Sequence, residues 1–232
     1  AIAWSAMPWY QPQIIAWMEM GGVYAFPNIR GGGEYGEDWY QNGILYKKQN
    51  GIDDYIAAAE WLIDNGYTSA NKMIANGGSA SGVLAGAAIV QRPELFGAAL
   101  IEYPRLDMIR YHLFTGATAR VKELGSPDDP EQFKTLYAYS PYHNLKQNSC
   151  YPATLVVVGE KDEITPPLHG YKFTAALQEV QKCENPALIK VVRESGHYSY
   201  GRDTEEYADT WADIWSFVVC SLNLDVPGFK DF

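Results

Sequence analysis

The chain has 232 residues, of which 47% are hydrophobic and 20% charged, and its net charge at pH 7 is −10. That composition supports a packed core rather than a disordered chain. The acidic balance argues against a nucleic-acid partner, whose phosphates call for clustered Lys and Arg. No run reaches the roughly 18 apolar residues that a spanning helix needs. No signal-like leader opens the stretch, so no membrane partner is expected and the compartment is read as cytoplasmic or periplasmic.

In chain order, the opening "AIAWSAMPWYQPQ" lacks Met and begins on strand-like apolar residues, so it reads as the inside of a longer protein. Short β-rich runs follow at 21–29, 72–76, 97–104, 153–160 and 188–194. Helical patterns lie between them. One at 53–66 has apolar residues at Ile56, Ala59, Leu62 and Ile63 and ends on Gly66. A second, at 81–97, is stopped by Pro93, and a third, at 166–183, has Pro in its first turn. The last, at 203–222, opens on Asp203 as N-cap, with Glu206 at the capping-box position. The run "TLVVV" is apolar without alternation, as in a strand covered on both faces. Alternating strands and helices predict a mostly parallel central sheet with helices on both faces. Residues 105–150 break the rhythm and read as an excursion. Within it, "GSPDDPEQF" is a turn leading into a helix.

The three cysteines, Cys150, Cys183 and Cys220, include no C-x-x-C pair, so neither a disulfide framework nor a zinc site is indicated. Free, mostly buried thiols are expected, with a single Cys150–Cys183 bridge left open.

The chemistry centres on "NGGSASG", residues 76–82. A nucleophile elbow needs a strand, a tight turn and a helix, with small residues two before and two after the nucleophile. Ser79 has that context, with Gly77 before it and Ser81 where Gly is usual, which predicts some crowding. Neither G-x-x-x-x-G-K-[ST] nor G-x-G-x-x-G is present here, so a phosphate loop is a weak alternative, and no cofactor or metal is called for. A serine hydroxyl needs a base, and the base needs an orienting carboxylate. After "TLVVVGE" come Glu160, Asp162 and Glu163, of which Asp162 is preferred on spacing. After "LIKVVRE" comes His197. By contrast, His112 and His143 lie in the excursion and His169 sits early in a helix. "RGGGEYGEDW" could cradle phosphate, but it reads as a loop turned beneath the sheet, with Glu34 and Glu37 in structural hydrogen bonds.

The runs "NIRGGGEYGEDWYQNG", "DDYIAAAEWL", "NGGSASG", "GSPDDPEQFKTLYAYSPYHN" and "ESGHYSYG" resemble the catalytic domain of prolyl oligopeptidases, and the likeness extends from about residue 17 to residue 222. The resemblance implies an α/β-hydrolase fold over 1–232, lacking its first strands. It implies serine acyl transfer with Ser79 as nucleophile, Asp162 as acid and His197 as base. The Ala80 N–H would be one oxyanion donor. The family's second donor is a tyrosine of a "Y-G-G-F" segment that this sequence does not contain, and the family's β-propeller is not encoded in it.

Two positions depart from the pattern. Arg120 stands where the family stacks a tryptophan on the substrate proline, and Ile164 where an arginine holds a substrate carbonyl. Proline preference is thereby put in question. Arg120 would either meet an acidic substrate group or extend into solvent. The expected activity is that of a serine endopeptidase on short peptides, with a carboxylesterase on the same scaffold, or a catalytically weakened hydrolase-like module, as alternatives. The expected partners are a peptide or small ester, and a propeller domain in a longer protein.

Overall fold

The computed structural model describes residues 5, 10–114 and 120–226. The opening stretch therefore lies largely outside the described residues. Four strands form one parallel sheet in the order β1 (Ile74–Gly78), β2 (Ala98–Glu102), β3 (Ala153–Gly159) and β4 (Ala187–Val192). Each begins or ends within three residues of its expected place. Ile101 lies beside Gly77 on one neighbour and Val156 on the other, which aligns the carboxyl ends of β1, β2 and β3.

Eight helices accompany the sheet in the described residues: α1 (Pro12–Glu19), α2 (Glu37–Gln41), α3 (Lys48–Asp64), α4 (Gly82–Gln91), α5 (Val121–Leu124), α6 (Pro130–Tyr139), α7 (Leu168–Val180) and α8 (Thr204–Ser221). Side chains alternate across a strand, and the two resulting faces bury separate cores. Ala99, Ile101, Val156 and Val158 pack with Ile52 and Ile56 of α3, Val83 and Ile89 of α4, Leu136 of α6, and Phe173 and Leu177 of α7. Leu100, Leu155 and Val157 pack with Trp211, Ile214 and Trp215 of α8 and with Trp17 of α1, whose ring stacks on Trp215 at 5.1 Å. The unbroken apolar run of β3 is thus covered on both sides. Each fully buried aliphatic side chain contributes about 1.5–3 kcal/mol.

Helix ends follow local chemistry. Gly66, at φ +73°, closes α3, and the Tyr67 N–H reaches back to the Leu62 carbonyl. Asp203 accepts the Glu206 N–H at the start of α8, and Glu206 returns a bond to the Arg202 N–H. Pro93 stops α4 at Gln91 and starts a 3₁₀ turn.

Two expectations are corrected. Residues 21–29 form no ladder with any described strand. Val23 is 70% and Phe26 56% exposed, because β-propensity makes a strand only where another strand supplies hydrogen bonds. The cysteines are not all free: Cys150 and Cys183 form a disulfide that ties the end of the excursion to the chain just after α7, while Cys220 is free and exposed. The bridge closes a segment with a sequence separation of 33. Replacing both cysteines by Ser is expected to cost roughly 3 kcal/mol in a urea-unfolding measurement, chiefly by freeing the unfolded chain.

"RGGG" forms the predicted structural loop. The Arg30 guanidinium forks onto the Asp54 carboxylate of α3 at 2.5 and 2.8 Å, Glu37 accepts from Gln41 at 2.6 Å, and the Glu34 carboxylate lies over Gly32.

Candidate active site

Ser79 sits at the tip between β1 and α4 with φ +49°, a left-handed conformation that costs a non-glycine residue about 1–3 kcal/mol. The turn is tight because Gly77 lies against the backbone beyond it. A Cβ there would meet the Ser81 carbonyl oxygen at 2.5 Å and the Ala85 Cβ at 2.9 Å. Ser81, at the position where glycine is usual, does not crowd the turn. Its hydroxyl donates to the Gly78 carbonyl at 2.8 Å and accepts the Gly78 N–H at 3.0 Å, bracing the corner. Ala80 follows Ser79 in a 3₁₀ turn that runs into α4. Backbone N–H groups at such a start have no intrahelical carbonyl partner.

The acid loop leaves β3 and the histidine loop leaves β4. They touch at Gly159, where a Cβ would lie 2.5 Å from the Gly196 carbonyl oxygen, and the Lys161 N–H donates to the Ser195 carbonyl at 2.9 Å. This contact brings His197 Nδ1 to 2.7 Å from Asp162 Oδ2 and His197 Nε2 to 2.9 Å from Ser79 Oγ. With the Nδ1 proton directed at the carboxylate, Nε2 presents its lone pair to the hydroxyl.

Asp162 is buried and fully engaged. Oδ1 accepts the backbone N–H groups of Ile164 at 2.8 Å and Thr165 at 2.9 Å, and the Thr165 hydroxyl lies 2.9 Å from Oδ2. Burial alone would push its pKa up. The hydrogen bonds from His197, Thr165 and Ile164 outweigh that and hold the carboxyl below its ordinary value.

The other acids and histidines are occupied elsewhere. Glu160 is exposed and accepts the Glu194 N–H, and Glu163 is exposed. His143 meets Ser140 at 2.8 Å, His112 lies 3.8 Å from Asp128, and His169 Nδ1 accepts the Asp107 N–H at 3.2 Å. Arg120 lies 3.4 Å from Glu123, so its nearest anion belongs to this chain. Ile164 is half exposed, and its carbonyl accepts from Arg105 at 3.2 Å.

Sequence reasoning passed over three neighbours of this site. Tyr198 packs its ring 4.4 Å from that of His197. Arg105 is buried beside the acid loop. Glu102, at the end of β2, is buried against Asn76 and Tyr200, and burial raises its pKa. Tyr198 had a signal, an aromatic ring next to the proposed base. Arg105 and Glu102 had none, since a charged residue at the end of a strand ordinarily reads as exposed.

Among the described residues no group of three His, Cys, Asp or Glu could hold a metal, and no helix is long and apolar enough to cross a membrane.

A parallel sheet with helices on both faces, and a serine at the first strand-to-helix corner, define an α/β-hydrolase fold. The comparisons carry the assignment further. Residues 8–225 match the prolyl oligopeptidase family. The chain is 43% identical over 209 residues to a prolyl endopeptidase of Elizabethkingia miricola, covering 90% of this chain and 30% of that protein. It superposes on a solved prolyl endopeptidase with a TM-score of 0.89 at 41% identity, covering 93% of this chain and 32% of the other. A post-proline cleaving enzyme from Rickettsia typhi gives a TM-score of 0.90 at 32% identity, with 97% and 32% covered. The chain belongs to the prolyl oligopeptidase family, and it spans about 30% of the length of the curated relatives it matches.

Proposed function

We propose that this chain carries the reaction centre of a serine endopeptidase of prolyl oligopeptidase type that cleaves short peptides through an acyl-enzyme. The observation that supports the reading is the unbroken hydrogen-bonded path from Ser79 Oγ through His197 to Asp162. Ser79 Oγ attacks the scissile carbonyl carbon as His197 Nε2 takes its proton. Asp162 holds the imidazole in the required tautomer and stabilises the imidazolium. The Ala80 N–H faces the oxyanion as it forms, and each such donor is worth about 10²–10³ in rate. His197 then protonates the leaving amine, and a water activated by the same nitrogen releases the acyl group.

In this reading residues 1–232 are an α/β-hydrolase catalytic domain. The propeller implied by the resemblance would lie elsewhere in a longer protein, a reading compatible with the share of the relatives' length that is matched. The Cys150–Cys183 bridge favours an oxidising compartment, the periplasm over the cytoplasm.

The test is stoichiometric labelling by a fluorophosphonate, combined with turnover of a peptide amide and a short-chain ester. Labelling with peptide turnover is expected. Ester turnover without any amide hydrolysis would replace the peptidase by an esterase, and absence of labelling would remove Ser79 as nucleophile.

A further inference from the structure

Arg105 is 6% exposed and lies three residues beyond the end of β2, at the carboxyl edge of the sheet. One guanidinium nitrogen donates to the Ile164 carbonyl at 3.2 Å, and the Ile164 N–H in turn donates to Asp162. The charge is therefore anchored one residue's backbone away from the carboxylate that orients His197. Its Nε–H is buried and finds no acceptor among the described residues, and no described carboxylate lies within ion-pair distance of it. A buried guanidinium N–H without a partner carries a desolvation penalty larger than that of a neutral donor. The Tyr111 ring lies over the guanidinium, its centroid 5.8 Å from the guanidinium carbon.

Two neighbours share this imbalance. His169, 2% exposed, uses Nδ1 to accept the Asp107 N–H, so its proton sits on Nε2, which is buried and has no partner among the described residues. Burial first, and the nearby Arg105 charge second, hold His169 neutral with its pKa down at about 4. Arg120 adds a second cation. After burial it is the strongest influence lowering the Arg105 pKa, ahead of the opposing pull of Glu123 and Asp162. Two buried N–H donors without acceptors among the described residues thus lie at one edge of the reaction centre, one of them on a guanidinium with no ion-pair partner there.

From this arrangement we infer that Arg105 is a specificity-determining residue. In concert with the His169 Nε2–H and Arg120, it receives a carboxylate side chain, Glu or Asp, on the substrate residue that supplies the scissile carbonyl. The placement follows from reach: that residue is the part of a peptide held closest to Ser79 and Asp162. The inference rests on the serine-peptidase reading and narrows its substrate class from short peptides in general to those with an acidic residue at the cleaved bond.

The experiment compares kcat/KM for matched fluorogenic peptides differing only at that residue (Glu, Gln or Pro), on the wild type and on Arg105→Met, with fluorophosphonate labelling of each. The wild type is expected to prefer Glu over its isostere Gln by about 10²-fold, because Gln leaves the buried charge unpaired. In Arg105→Met the ratio is expected to fall to near unity. A wild type that labels and cleaves but shows no preference for Glu over Gln overturns the inference and leaves the peptidase reading intact. So does a loss in Arg105→Met that is equal for all three peptides, which would make Arg105 a general clamp on the substrate backbone. Failure of the wild type to label removes both. The wild-type Glu/Gln ratio decides the matter even if the variant does not fold.

Discussion

Ser79→Ala is expected to lower kcat on any cleavable peptide by about 10⁶-fold, since nucleophile, base and acid act as one unit. The loss should fall on kcat with little change in KM, because the hydroxyl contributes to bond making more than to holding the peptide. Fluorophosphonate labelling should vanish with it. Stability is expected to hold or rise slightly. The left-handed strain at φ +49° stays for either residue, and loss of the hydroxyl leaves His197 Nε2, an acceptor, without that partner. Steady-state kinetics beside thermal unfolding would separate these effects. Retention of more than about one per cent of wild-type turnover would exclude Ser79 as the attacking atom, whatever its geometry.

Asp162→Asn is the second large effect, about 10⁴-fold in kcat. The change is nearly isosteric, so the loop should persist. The amide donates where the carboxylate accepted, which turns the His197 proton onto Nε2 and leaves Ser79 facing a donor instead of a base. The same substitution has a pH signature in stability. The Asp162 carboxyl is held below its ordinary value in the folded chain, by hydrogen bonds that outweigh burial. Its stabilising contribution is therefore complete above the unfolded-state pKa of roughly 3.9 and is lost as pH falls through the lower folded value. The stability difference between wild type and Asp162→Asn should be flat from neutrality to about pH 5 and shrink at more acid pH. Urea melts at several pH values measure this. A gap that widens on acidification would mean that the carboxyl is destabilised in the fold.

Much of the framework was legible without coordinates, for reasons that are local. The β3 strand announced itself because both of its faces need apolar cover. The ends of α3 and α8 were readable because Gly66 and Asp203 satisfy helix termini from within a few residues. The corner at Ser79 could be located because its close approaches demand the glycine at 77. The strand expected at 21–29 failed for the opposite reason: its hydrogen bonds depend on a partner strand that its own residues do not specify. The Cys150–Cys183 bridge was open for the same cause, since the separation of two Cα atoms, 5.2 Å here, is set by the meeting of the excursion and α7.

At the site the division is similar. Residue types and their order along the chain determined which hydroxyl, imidazole and carboxylate could work together, because proton transfer restricts the choice to a few side chains. Distance was decided by tertiary structure, as was the environment of Arg105. Whether a guanidinium meets water or a buried backbone carbonyl depends on which loops close over it, and those loops are brought in by strands and helices up to about sixty residues away. Chemistry is carried by side chains and can be read one residue at a time. Burial and approach belong to the assembled fold and emerge only when distant segments share the same volume.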